Sequence, residues 1–365
     1  MKKYLMSLAA VLFLAGCHSH AFNLNREDRA DIAREERVSF KIGIAFNEKG
    51  GIEDNTFNGI GWNGILQYVH RYPTATVQSK VPKSGSVGDI RAALEDLIAV
   101  KPDIVFGFGE SYGQVFDIFS DKYPEIKFVL LGGVANRAKD NLASVEFEDQ
   151  ESAFLVGIAA ALNSKTGQIG FVGGEKSDTL KRQELGFEAG IAYANANHKT
   201  DAELMDIQYA GSFNDIKAGR KLAREMFEEG VDTIFVSAAV TGNGVREVAM
   251  VKQEKGEAVW LIGVDNDLYH EGKAMDGSSV FLTCAMKKLD IVIYRILDDY
   301  VRGHFPGREH LIQNLKNDGI GLPWQNPNFD GTTRTLVMQA AARIKEGEME
   351  IPFELEKLED FVKSQ

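Results

Sequence analysis

Three neighbouring residues combine groups suited to holding a ligand: the carboxylate of Asp54, the ring of Phe57 and the amide of Asn58. A carboxylate accepts from hydroxyls or amines, a ring covers a flat apolar face, and an amide both donates and accepts. The same residues equally fit a structural role, with Phe57 buried in a first helical turn and Asn58 at a helix start. Signatures of catalysis are missing: the chain has no H-E-x-x-H, G-x-S-x-G, P-loop or paired C-x-x-C, and its seven histidines are scattered. The run Gly107-Phe108-Gly109-Glu110-Ser111-Tyr112-Gly113 places its third glycine one position late for a dinucleotide-binding turn. His18 and His20 lack the further ligands of a metal site, and no cofactor is implied.

The elements that must position Asp54, Phe57 and Asn58 are a strand, a glycine-rich crossing and a helix, all within Phe40 to Ile65. Phe40–Phe46 is a short apolar run ending in glycine signals, the pattern of a strand covered on both faces. Asp54, Asn55 and Thr56 each suit the N-cap of the helix that follows. In a parallel sheet, ligands sit in the crevice beyond the carboxyl ends of the strands, which would put these residues at a mouth. Further strands are expected at Ile104–Phe108, Phe128–Leu131, Gln168–Val172, Leu204–Tyr209, Thr233–Val236 and Trp260–Val264. Apolar stripes at helical spacing run through Val87-Ile90-Leu94-Leu97-Ile98 and Leu222-Met226-Phe227, and helices are expected over Asp149–Leu162 and Ala285–Val301. Such alternation gives parallel sheets with right-handed crossovers.

The pattern restarts at Gly167, so the expected fold is α/β, with two doubly wound parallel-sheet lobes joined by a multi-strand hinge. The expected lobes are 39–150 with 278–305 and 151–277 with 306–350, followed by a C-terminal tail over 351–365. A formal charge of −12 without a local basic cluster excludes a nucleic-acid surface. The two cysteines, Cys17 and Cys284, cannot make a disulfide framework.

Residues 1–16 carry Lys2 and Lys3, an apolar run from Leu5 to Leu14 and then small residues, the layout of a secretory signal too short for a membrane span. Leu14-Ala15-Gly16-Cys17 resembles the bacterial lipobox. That resemblance implies cleavage before Cys17 and a diacylglyceryl thioether on its sulfur, a stable tether to a membrane of the cell envelope. Residues 17–38 are charge-dense with little to bury and read as a flexible tether or a marginal helix.

Beyond the leader, the chain resembles the basic membrane lipoprotein and purine nucleoside receptor family, lipoproteins that bind substrate for ABC-type importers. The matching segments include Gly51 to Asn58 with Trp62, Phe147 to Ala161, Gly170 to Gly174, Gly186 to Gly190 and Gly211 to Asp215. They continue through Thr241 to Val245, Ile262 to Asp267, Leu282 to Lys287, Phe305-Pro306-Gly307 and Asn326-Pro327-Asn328, in one order over nearly the whole mature chain. The resemblance implies the type I periplasmic-binding-protein fold and a non-enzymatic receptor, monomeric apart from its permease partner, that closes on a nucleoside, with a purine favoured. A ligand-sensing lipoprotein, or a receptor for another small polar ligand, remains the alternative.

Carried over residue by residue, the family pattern makes Phe57 and Phe213 stacking partners of a purine and Asn58 a base contact. Stacking on both faces of a flat ring is worth roughly 1–3 kcal/mol per partner. The pattern makes Asp265 an acceptor for ribose hydroxyls and Lys287 its partner; read alone, Asp265 is a helix cap and Lys287 a surface lysine. Three positions depart: Gly132 stands where the family has an acid, Gln183 where it has an aromatic, and Ala239-Val240 where it has two glycines. These departures fall on the base side, where Glu110, Asp149 or Gln183 are the available compensating groups. Cys284 stands where the family has Ser, either as a thiol near the cleft or as a small buried residue.

Overall fold

The computed structural model describes residues 39–48, 56–329 and 331–364. The leader, Cys17, the tether and Asp54 lie outside the described residues. Two six-stranded sheets share one winding. The first comprises β1 (Lys41–Ala45), β2 (Thr76–Lys80), β3 (Ile104–Phe108), β4 (Lys127–Leu131), β5 (Leu142–Phe147) and β11 (His310–Gln313), in the order β11-β5-β4-β3-β1-β2. The second comprises β6 (Gln168–Gly173), β7 (Glu203–Tyr209), β8 (Thr233–Ser237), β9 (Trp260–Asp265), β10 (Phe281–Lys287) and β12 (Ile320–Gly321), in the order β12-β10-β9-β8-β6-β7. All pairings are parallel except β10 with β12. In each sheet the winding reverses direction beside its first strand, and both sets of carboxyl ends face one crevice.

All seven strands read from the sequence are present; six are central strands whose burial on both faces shows as continuous apolar runs, while β7 is an edge strand with alternating exposure. The edge strand β2 alternates between exposed and half-buried residues and lacks that run. The expected helix over Ala285–Val301 starts late: Phe281–Lys287 is a strand and the helix spans Leu289–Val301. Pairing with β9 and β12 takes Ala285, Met286 and Lys287 into the sheet, and this pairing overrides the helix expected there.

The expected lobe boundaries change for the same reason. Residues 278–305 divide, with β10 in the second sheet and the helix Leu289–Val301 packed on helix Phe57–Arg71 of the first lobe. Residues 306–350 divide too: β11 completes the first sheet, while helix Gly331–Lys345 packs on helix Asp149–Asn163. The chain therefore crosses between lobes at 147–149, 287–289 and 313–320. The crossings are tied together: Glu148 N–H donates to the Gln313 carbonyl (2.8 Å) and Lys288 N–H to that of Gly319 (2.9 Å). Leu315 N–H donates to Glu151 Oε2 at 2.8 Å. The expected C-terminal tail is a packed helix, Leu355–Ser364, with Leu358 buried and Phe361 edge-on to Phe154 at 5.9 Å.

Helix Asp149–Asn163 and helix Asp178–His198 lie in backbone contact in the second lobe. A Cβ on Gly186 would stand 2.3 Å from the Gln150 carbonyl oxygen, and one on Gly190 would stand 2.1 Å from that of Phe154. Only glycine permits this approach, and it draws the start of the second helix over the start of the first.

Candidate functional site

A cavity of about 510 Å³ lies between the lobes. Its walls come from residues at or just past strand ends: Asn47, Glu110, Gly132 and Phe147 from the first sheet, and Ser177, Phe213, Ala239, Asp265 and Lys287 from the second. Six of the ligand residues singled out in the sequence, Phe57, Asn58, Phe213, Ala239, Asp265 and Lys287, line this cavity.

The first-lobe wall is aromatic. Phe57 opens helix Phe57–Arg71, with Thr56 in extended N-cap geometry. Its ring stands edge-on to Phe108 (5.7 Å) and Phe147 (6.3 Å), and these neighbours fix its orientation. Gly132, at φ +75°, backs the same ring: a Cβ there would stand 3.2 Å from Phe57 Cζ. Asn58 is only 2% exposed, and its amide is paired with the Asn47 backbone. Its Nδ2 donates to the carbonyl at 2.7 Å and its Oδ1 accepts from the N–H at 3.2 Å, which fixes the loop after β1.

The second-lobe side is charged. Lys287 Nζ lies 2.9 Å from Asp149 Oδ1 and 3.8 Å from Asp265 Oδ1, and 5.6 Å from the centres of both the Phe57 and Phe147 rings. One ammonium thus holds two carboxylates against two aromatic faces. Burial disfavours the Lys287 charge, but Asp149 and Asp265 outweigh it and raise its pKa. Burial, reinforced by Asp149, raises the Asp265 pKa against the opposing pull of Lys287. Asp265 and Ala239 also hold left-handed backbone, at φ +70° and +46°. Such conformations in non-glycine residues cost about 1 kcal/mol or more and concentrate at ligand clamps.

Phe213 follows β7 on the wall opposite Phe57 and rests on Gly174, where a Cβ would lie 2.3 Å from its ring. Of the three departures, Gly132 and Gln183 line the cavity, as does Ala239, whereas Val240 is not among the lining residues. Gln183 Nε2 donates to Asp149 Oδ1 at 3.2 Å. Cys284 is fully buried, its thiol pushed up to about 12 chiefly by burial, so it is the small buried residue and not a reactive thiol.

Residue patterning alone gave no sign of the ion pair that bridges the mouth. Glu146 of β5 meets Arg182 of the second lobe at 2.7 Å, and His310 Nε2 lies 3.0 Å from the same carboxylate. Arg182 also stacks on Phe353 at 4.7 Å. Its partners are 36 and 171 positions away, and no local pattern announces such pairs.

Two wound sheets, three crossings and a walled interlobe cavity define a two-lobed solute-binding protein. Comparison with known proteins agrees. The family described as "ABC transporter substrate-binding protein PnrA-like" matches residues 41–353, and the chain belongs to it. The chain is 32% identical over 356 residues to the "ABC transporter nucleoside-binding protein BmpA" of Lactococcus lactis subsp. cremoris, covering 95% of this chain and 97% of that one. It is 30% identical over 361 residues to the "CD4+ T-cell-stimulating antigen" of Listeria monocytogenes, covering 96% and 99%. Among solved structures, a solute-binding protein of an ABC transporter system from Aeropyrum pernix K1 superposes with a TM-score of 0.77 at 22% identity, over 89% of this chain and 98% of that one. This protein is thus an extracytoplasmic substrate-binding protein of an ABC transporter, with a small-molecule ligand and a permease partner, and it is not an enzyme.

Proposed function

We propose that the cleft captures a nucleoside, with a purine as the favoured base, and delivers it to the permease. The carrying observation is the pairing of Phe57 and Phe213, one from each lobe, beside the Asp149–Lys287–Asp265 cluster. Stacking rings suit a flat base, and a carboxylate–ammonium–carboxylate set suits a hydroxyl-bearing sugar. The similarity to a relative named as nucleoside-binding supports the same ligand class. In this reading Asp265 accepts from ribose hydroxyls, Lys287 donates to sugar oxygens, and Ala239 and Asn58 shape the base side. The test is calorimetric titration with adenosine, guanosine, inosine and a pyrimidine nucleoside, after unfolding and refolding to strip carried ligand. Tight binding of a purine nucleoside is expected; heat from none of the four would refute the ligand class.

The leader and Cys17 support a lipid anchor at the cell envelope. Cys17→Ser is expected to move the protein from the membrane fraction to the soluble fraction. A variant that stayed wholly with the membrane would refute the anchor.

A further inference from the structure

Arg182 reaches from one lobe to the other. It stands in the first turns of helix Asp178–His198, and its Nη2 lies 2.7 Å from Glu146 Oε1 on β5. Among the described residues it has no other hydrogen bond or ion pair, so its whole polar engagement lies across the cleft. The two side chains are 21% and 22% exposed, well below the 43% and 66% of the surface pair Lys80–Asp96. Shelter of this degree separates the pair from open-surface bridges, which contribute little.

Each half of the pair is oriented from within its own lobe. His310 Nε2, on β11, lies 3.0 Å from Glu146 Oε2. A carboxylate only accepts, so the ring donates there and leaves Oε1 for Arg182. The guanidinium in turn stacks on Phe353 at 4.7 Å, and Phe353 leads into helix Leu355–Ser364, which packs on helix Asp178–His198. Both groups are therefore set in place before they meet, and little side-chain freedom is lost when they do. The strands that hold the first-lobe half, β5 and β11, are also those that run into the crossings at 147–149 and 313–320. Rotation of the second lobe about those crossings carries Arg182 away from Glu146, which stays with the first sheet. Since Glu146 and Arg182 both line the cavity, parting hands each of them to water. The pair thus contributes to the approached arrangement of the lobes and not to the parted one.

We propose that Glu146 and Arg182 form a clasp that holds the lobes together and slows the release of ligand, with His310 and Phe353 as its positioning residues. The clasp acts on closure itself, whatever solute fills the cavity, and so stands apart from the nucleoside reading.

The test is a double-mutant cycle of wild type, Glu146→Ala, Arg182→Met and the two substitutions combined. Small-angle X-ray scattering of the protein stripped of ligand reads closure, and stopped-flow release of a bound purine nucleoside reads its consequence. Each single variant is expected to show a larger radius of gyration than wild type and to release nucleoside about fivefold faster, the scale of one partly sheltered ion pair. The combined variant is expected to match the single ones, because one interaction is lost only once. Scattering or release unchanged from wild type would overturn the proposal. So would effects that multiply in the combined variant, since the two side chains would then act separately, as direct ligand contacts do. Glu146→Gln gives the same comparison should alanine disturb folding. A wild type that bound no nucleoside would refute the nucleoside reading alone and leave scattering to decide the clasp.

Discussion

The two lobes share a strand order and differ in what they place at the strand ends. The first offers Phe57, Phe108 and Phe147 in edge-on contact, with a glycine backing the ring. The second offers one ring, Phe213, and beside it Asp265 and Lys287, closed by Asp149 from the first crossing, on strained backbone at Ala239 and Asp265. One topology, used twice, thus delivers a ring from each lobe and an ion cluster from only one side to a common crevice. The winding sets where residues meet, and the residues just past each strand set what they hold.

Removing the central ammonium should have the largest effect. Lys287→Met leaves Asp149 and Asp265 facing each other, and breaking such a buried set costs roughly 3–5 kcal/mol. The variant should lose nucleoside heat in calorimetry and unfold at lower denaturant. Wild-type values in both would mean the charged side does not grip the ligand.

In the aromatic pair, Phe213→Ala should weaken nucleoside affinity by roughly 1–3 kcal/mol while a folded cleft remains. Equal affinities in the variant and wild type would remove Phe213 from the stack.

The joint between the lobes should respond to pH. Burial raises the Glu151 carboxyl from its ordinary 4.5 to about 7, the Leu315 N–H lowering it and Glu148 raising it further. The folded state therefore holds this proton more tightly than the unfolded chain. The associated stability is complete below pH 4.5 and is lost as pH rises through about 7. Glu151→Gln, which keeps an acceptor for Leu315 N–H, should gain on the order of 1–2 kcal/mol over wild type at pH 8 and match it near pH 4.5. Denaturation midpoints across that range test it; parallel pH profiles would sink it.

Gly132→Ala should produce the smallest change, about 1 kcal/mol from left-handed strain plus displacement of the Phe57 ring. Weaker nucleoside binding should accompany it, and an unaltered Kd would show that Phe57 need not keep its present tilt.

How much of this was legible follows from what each signal depends on. Strands buried on both faces announce themselves as apolar runs, so β1, β3, β4, β6, β8 and β9 were readable. The strand Phe281–Lys287 took its state from neighbours 20 or more positions away, and the lobe boundaries shifted with it. Phe57 was visible as an aromatic at a helix start, whereas Phe213, Asp265 and Lys287 were readable only through the family pattern. Asp149 was named merely as a neighbour, because its value lies in touching both Lys287 and Gln183.

The most direct test of the divided cleft compares wild type and Asp265→Asn against a purine nucleoside and its 2′,3′-dideoxy analogue. If Asp265 holds the sugar, the substitution weakens the parent by about tenfold or more and leaves the dideoxy analogue nearly unaffected. If the substitution weakens both ligands equally, the carboxylate does not read the sugar hydroxyls, and the assignment of the sugar to the Asp149–Lys287–Asp265 cluster is wrong.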